Sequence, residues 1–120
     1  MATKVITVRI KDEPFEITLR SSKVEDGLLR GQLITKAVQM PDEEQIKKIA
    51  ATVLFPTCIC CVAEPKEIRA MSLDAFLADV DEQDMDAWIK AAYELNPHWQ
   101  TIYQAPAADA EKKITTPSAG

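Results

Sequence analysis

The sequence has few of the residues on which common catalytic motifs depend. It contains three glycines, one of them the last residue, so it has no glycine-rich phosphate-binding loop. Its single histidine excludes a His-Glu-x-x-His metal site, and no Gly-x-Ser-x-Gly motif is present. We therefore expect a protein that is not an enzyme and needs no cofactor.

Cationic clusters and long apolar runs are also missing. Lys and Arg number 14 against 19 Asp and Glu, for a formal charge of −5. Nucleic-acid binding relies on basic patches that neutralise phosphates, so nucleic acid is not an expected partner. The longest uncharged run, residues 49–63, is shorter than the roughly 20 residues that span a bilayer. The N-terminal "MATKVITVRI" also lacks the features of a signal peptide, so we expect a cytoplasmic protein without a membrane partner.

The three cysteines, Cys58, Cys60 and Cys61, lie within four positions. An odd number of cysteines so close together indicates a reducing compartment rather than a disulfide framework. His98 would complete a Cys3His set, but a zinc site usually takes its ligands from two separated pairs. We expect buried thiols in a core, with a small metal or redox protein as the less favoured alternative.

Alternating polar and apolar residues predict an N-terminal β-hairpin over about residues 3–20. In "KVITVRI" and "FEITLRS", β-branched and aromatic residues recur at every second position, as on a strand with one buried face. The intervening "KDEP" predicts the turn, with Asp12 and Pro14 as turn residues.

Residues 21–39 are ambiguous. Leu29, Leu33 and Ala37 recur at helical spacing, whereas Gly27 and Gly31 each cost a helix about 1 kcal/mol relative to alanine. We favour a helix over the second half of this segment, and a further strand is the alternative.

Three helices are predicted downstream, over about residues 42–55, 73–78 and 82–95. Asp42 and Gln45 resemble a capping box, and Pro56 is expected to end or kink the first helix. That helix carries one apolar stripe: Ile46, Ile49, Ala50, Val53 and Leu54. The uncharged run over residues 49–63 suits a core or an oligomer interface.

The last two helices have clear capping residues. Ser72 and Asp81 are natural N-caps, and Asn96-Pro97 is a stop signal after residue 95. Residues 104–120 are small, polar and rich in proline, which predicts a disordered tail. Residues 1–103 are therefore predicted to form a single α+β domain, with an N-terminal β-hairpin followed by a mainly α-helical part.

The segment "WIKAAYELNPHW" concentrates the aromatic residues at the end of the last helix. Trp88 lies on the apolar stripe of that helix, so we expect it in the core. Trp99 and Tyr103 follow Pro97 four residues apart, and we favour packing of both back onto the core, with partner contact as the alternative. The candidates for partner contact are Trp99 first, then Tyr103, Tyr93 and Trp88.

This segment also carries a family resemblance. Residues 71–99, "MSLDAFLADVDEQDMDAWIKAAYELNPHW", resemble the C-terminal part of tail assembly chaperones of long-tailed bacteriophages and prophages. The likeness extends over roughly residues 50–100, including "FPTCICCV". The matching positions are Phe76, Leu77, Trp88, Ala91, Glu94, Leu95, Asn96, Pro97 and Trp99.

The resemblance implies a non-catalytic function. Such chaperones bind the tape-measure protein, keep it soluble and help to recruit tail-tube subunits in the host cytoplasm, and they are absent from the mature virion. It implies the tape-measure and tail-tube proteins as partners and leaves self-association into a homo-oligomer open. The alternative is a ubiquitin-like β-grasp adaptor, which would require further strands after the first helix.

Overall fold

The computed structural model describes residues 2–100, so the predicted tail at 104–120 and Tyr103 lie outside the described residues. Three strands are present: β1 (Thr3–Ile10), β2 (Glu13–Arg20) and β3 (Val62–Glu64). Six α-helical segments accompany them: α1 (Val24–Val38), α2 (Gln45–Ile49), α3 (Phe55–Cys60), α4 (Lys66–Arg69), α5 (Leu73–Asp79) and α6 (Glu82–Leu95). The α+β prediction, with a hairpin followed by helices, is confirmed.

The predicted hairpin is present, with a tighter turn than expected. β1 and β2 pair antiparallel from Thr3 opposite Arg20 to Ile10 opposite Glu13. Lys11 and Asp12 alone form the turn, both with positive φ, as two-residue hairpin turns require. Pro14 was predicted in the turn but lies within β2, opposite Arg9. Arg9 directs its backbone N–H and C=O outward, to Asp84 and Asp81, so this pair needs no hydrogen bond from the proline.

A short third strand completes the sheet in the order β1-β2-β3. β3 pairs antiparallel with β2 at Thr18 and Leu19. The sequence did not predict this strand, because three residues are too few to show an alternating pattern. It is the one strand that follows α1 among residues 2–100, so the fold gives the β-grasp alternative no support.

α1 occupies the ambiguous segment over its whole length. Asp26 lies in the first turn and accepts a 2.9 Å hydrogen bond from the backbone N–H of Lys23, which fixes the start of the helix. Neither glycine of α1 is required by packing, since a Cβ at Gly27 or Gly31 would meet nothing within 4 Å. Contacts along the opposite side of α1 therefore outweigh the low helix propensity of the two glycines.

The helix predicted over 42–55 is longer than expected and is not regular. α2, a π-helical turn over Ala50–Leu54 and α3 form one helical run, which we call the middle helix (residues 45–60). Pro56 does not end it, because the π turn widens the backbone one turn earlier, where the Phe55 N–H bonds to the Ala50 carbonyl. Thr52 Oγ1 donates to the Lys48 and Ile49 carbonyls within this irregular part.

The predicted capping box of this helix is wrong. The run opens with a 3₁₀ turn at Asp42–Glu44, whose N-cap is Pro41, and no side chain caps it. Asp42 instead accepts a 3.0 Å hydrogen bond from Lys48 Nζ. The 3₁₀ turn moves Asp42 out of the N-cap geometry that its spacing to Gln45 suggested.

Helices α5 and α6 match their predicted boundaries. Ser72 Oγ accepts from the Ala75 N–H, and the Asp81 carboxylate accepts from the N–H groups of Gln83 and Asp84. α6 ends at Leu95, before Asn96-Pro97. Local capping chemistry is thus sufficient to define both helices.

The core lies between the inner face of the sheet, α3 and α6. Val8, Ile17 and Leu19 of the sheet are fully buried, as their alternation predicted. Phe76 packs edge-to-face against Phe55 and Trp88, with ring centroids 5.4 and 5.8 Å away. These contacts hold α5 and α6 against the buried end of the middle helix.

Candidate functional site

Both tryptophans lie in the core. Trp88 is fully buried, as predicted, and its Nε1–H donates a 2.9 Å hydrogen bond to the Cys58 carbonyl. Trp99 is only 2% exposed, and the Arg30 guanidinium lies 4.8 Å from its ring centroid. The favoured prediction for Trp99, packing onto the core, is confirmed, and its alternative of partner contact is wrong. Tyr93 is partly buried against the core.

The three cysteines are buried free thiols. Burial raises the pKa of Cys60 and of Cys61 to about 12 and raises that of Cys58 well above its usual value. His98 is exposed, and its Nε2 lies 3.2 Å from Ser22 Oγ. Within residues 2–100, no group of three His, Cys, Asp or Glu side chains could hold a metal ion.

A buried ionic cluster connects the sheet, α1 and α4. Asp26 is fully buried and accepts hydrogen bonds from Arg20 and from Arg69, whose Nη2 lies 2.7 Å from Oδ1. Burial alone would raise the pKa of Asp26, but the hydrogen bonds from Arg20, from the Lys23 N–H and from Arg69 outweigh it and lower the pKa. The charged groups of Asp26, Arg20 and Arg69 are therefore paired with one another inside the fold.

Arg30 forms a second buried polar contact beside this cluster. Its Nε–H donates a 2.9 Å hydrogen bond to Thr57 Oγ1, and its Nη2 lies 3.4 Å from the Trp99 carbonyl. Arg30 thereby connects α1, α3 and the turn after α6. We read both polar contacts as structural, since their polar atoms are hydrogen-bonded to one another within the fold.

An open groove lies between α1, the middle helix and the segment from α4 to α5. Its volume is about 520 Å³, within the 300–1,000 Å³ range typical of ligand sites. Its lining is mainly apolar: Leu29, Leu33, Ala37, Met40, Ala51, Phe55, Ile59, Ala70, Met71 and Leu73. We call this feature the α1–α5 groove.

Small and flexible side chains line the groove and leave it open. Ala37 and Ala51 are the small residues where α1 meets the middle helix, and both are buried. Met40 and Met71, one from each wall, add flexible thioether side chains that adapt to different shapes. The groove therefore suits an apolar ligand of variable shape.

The polar residues of the groove lie at its rim: Lys36, Lys47, Arg69, Ser72 and Asp74. Lys47 Nζ lies 3.0 Å from Asp74 Oδ1, so an ion pair connects α2 with α5 beside the groove. The hydrogen bond from Lys47 to Asp74 raises the pKa of the lysine, which keeps it cationic. The described lining of the groove has no cysteine or histidine.

Comparison of the chain with protein-family models, with curated proteins and with solved structures gives no match. No helix within residues 2–100 is long and apolar enough to span a membrane.

The groove residues were not among the predicted site residues. The i, i+4, i+8 spacing of Leu29, Leu33 and Ala37 was visible, but spacing alone does not distinguish a groove wall from a core face. A signal that could have pointed to the site is that Met40 follows Lys36 by four residues and Met71 follows Arg69 by two. The aromatic cluster drew attention instead, because aromatic residues are enriched both in cores and in interfaces.

Proposed function

We propose that this chain is a non-catalytic tail assembly chaperone of a long-tailed bacteriophage or prophage. It binds the tape-measure protein in the α1–α5 groove and helps to recruit tail-tube subunits. It acts in the cytoplasm of the bacterial host and is absent from the mature virion. The observation that carries the proposal is an open, mainly apolar groove with a charged rim.

The shape and chemistry of the groove support a helical client. Proteins that bind amphipathic helices receive apolar side chains at i, i+3, i+4 and i+7 in a hydrophobic groove. Here α1 and the middle helix form two walls, and Met40 and Met71 can adjust to successive stretches of a long client. A tape-measure protein is a long helical client of this kind.

The resemblance supplies the identity of that client, which a groove alone does not. The positions that carry it include Trp88, Asn96 and Phe76, all of them buried. These residues hold α5 and α6 in place and do not line the groove. The resemblance therefore lies in buried residues that stabilise the fold. The groove is a separate surface, and it provides the binding site.

Co-expression with the tape-measure protein from the same tail gene cluster tests the proposal. We expect the full chain to keep the tape-measure protein soluble and to purify with it. The double variant Met40→Gln/Met71→Gln should fold, as judged by circular dichroism, and recover several-fold less soluble client. It places polar amides where an apolar stripe would dock.

The matched control is Leu28→Gln/Leu77→Gln. Both leucines are exposed and lie outside the groove, so this variant makes a similar chemical change elsewhere. Equal client recovery by the two double variants would refute the groove as the binding site. Failure of the unmodified chain to keep any tape-measure protein soluble would refute the chaperone function.

A further inference from the structure

The rim of the α1–α5 groove is basic, although the chain as a whole is acidic. Three cationic side chains line the groove, Lys36, Lys47 and Arg69, against one carboxylate, Asp74. The formal charge of the whole chain is −5. The charge of the groove lining is therefore opposite in sign to the net charge of the chain. A ligand of complementary, negative charge fits such a lining.

Of the three cations, Arg69 is occupied within the fold, Lys47 is held in an exposed ion pair and Lys36 is exposed. Arg69 is committed to Asp26 and to the Cys60 and Val62 carbonyls, at 2.7, 2.8 and 3.0 Å. Lys36 is exposed in the last turn of α1. Lys47 and Lys36 therefore determine the electrostatic preference of the groove.

The present partner of Lys47 is easily replaced. Asp74 is 81% exposed, and the second neighbouring carboxylate, Glu44, lies 4.0 Å from Lys47 Nζ. An exposed ion pair of this kind contributes little to stability, because both charges are well solvated. A ligand carboxylate held beside Lys47 by apolar contacts can take the place of Asp74 at little cost.

The acidic charge of the rest of the chain does not cancel this preference. At physiological salt the Debye length is about 8 Å, so charges spread over a molecule 44 Å long are largely screened from the groove. Lys36 and Lys47 would lie in direct contact with a ligand and are screened much less. The local charges at the rim therefore decide the selectivity.

We propose that the α1–α5 groove binds an amphipathic helix whose apolar stripe is flanked by acidic residues, with Lys36 and Lys47 pairing with its carboxylates. This inference rests on the proposed function, because it names the chemistry of the client that the groove receives. It also predicts that basic or neutral helices with the same apolar stripe bind more weakly.

Three synthetic peptides of about 18 residues, or five helical turns, provide the test. They share one stripe of Leu and Ala and carry Glu, Gln or Lys at the flanking positions. Binding to the full chain is measured by fluorescence anisotropy at 150 mM salt. We expect the order Glu, then Gln, then Lys, with about tenfold between the extremes, since two exposed ion pairs gained or lost amount to that ratio.

Charge reversal at the rim provides the sharper test. Lys36→Glu/Lys47→Glu should reverse the order of the three peptides. Lys66→Glu/Lys90→Glu changes the net charge equally, at lysines that do not line the groove, and should preserve the order. If the double rim variant unfolds, Lys36→Glu alone should still reduce the preference for the Glu peptide several-fold.

Equal affinity for the three peptides would overturn the inference. If Met40→Gln/Met71→Gln still weakened all three, the apolar groove and the proposed function would stand. Competition by a peptide of residues 101–120 would show instead that the chain's own C-terminal segment occupies the groove. Concentration-dependent dimers that the Met40→Gln/Met71→Gln variant abolishes would show that a second copy occupies it. Either result would overturn the inference.

Discussion

The two ends of the middle helix both contain apolar residues, but these residues are buried at one end and exposed at the other. In α3 every residue is buried, including Thr57 and Pro56. In α2 none is buried, and Ile46 is 86% exposed and Ile49 52% exposed. One continuous helical run is thus a core element at its C-terminal end and a surface element at its N-terminal end.

The difference follows from what surrounds each end. α3 packs against α1, α6 and the sheet-facing core, and its Cys58 carbonyl accepts the hydrogen bond from Trp88. α2 meets the rest of the chain mainly at its groove side, through Lys47. Stability is therefore concentrated around α3, whereas the surface beside α2 remains available for binding.

The largest effect should come from truncating the core beside α3. Trp88→Ala removes a fully buried indole and should reduce the free energy of unfolding by about 4 kcal/mol in urea denaturation. Ile46→Ala, at the exposed end, should change it by less than about 0.5 kcal/mol. Similar losses for the two variants would contradict the contrast between the two ends.

The reactivity of the buried thiols in and next to α3 should show that this end of the middle helix is closed to solvent. Because burial raises the pKa of Cys60 and Cys61 to about 12, their thiolate fraction near pH 8 is roughly a thousandfold below that of free cysteine. Labelling by a disulfide reagent should therefore become fast only when urea unfolds the chain. Rapid labelling of the native protein, or a melting temperature that a zinc chelator lowers, would revive the metal or redox alternative.

The buried carboxylate of Asp26 in α1 should contribute nearly as much to the free energy of unfolding as Trp88 does. Asp26→Asn leaves Arg20 and Arg69 without their buried carboxylate and should cost about 3 kcal/mol of unfolding free energy. The pKa of Asp26 is lower in the folded state, so its stabilisation is complete above about pH 4 and is lost as the pH falls further.

Urea denaturation between pH 2 and pH 7 tests this pH dependence. The Asn variant should lose less stability on acidification than the unmodified chain. Asp86→Asn, at an exposed position of α6, should retain the full pH dependence. An unchanged pH profile in Asp26→Asn would show that the cluster does not stabilise the fold.

The smallest effect is expected on the exposed side of α1. Gly31→Ala adds a methyl group that meets nothing within 4 Å, so it should raise the unfolding free energy by about 0.5–1 kcal/mol. Peptide affinity should not change, because Gly31 does not line the groove. A loss of stability would contradict the helical backbone and the open space at Gly31.

Local chemistry made much of this fold predictable. The hairpin follows from alternation, and α5 and α6 follow from the Ser72 and Asp81 caps and the Asn96-Pro97 stop. Two errors were also local. The 3₁₀ turn at Asp42–Glu44 replaced the expected capping box, and the π turn before Pro56 allowed the helix to continue.

The candidate site was not predictable in the same way. The groove joins α1, the middle helix and residues 70–73, which are far apart in the sequence. α2 contains two lysines and α3 contains no charged residue, so composition favours α3 for the core, but it does not show that Ile46 and Ile49 are exposed. Trp99 illustrates the same point, because Arg30, 69 residues away in the sequence, lies over its ring within the core.

The sequence by itself determined the strand alternation, the capped ends of α5 and α6 and the apolar identity of the core. These depend on hydrogen bonds and periodicity within a few residues. Only the tertiary structure decided which apolar residues became core, which became the groove, and that Lys36 and Lys47 both line it. Burial depends on which distant elements pack around a side chain, and no local pattern encodes that.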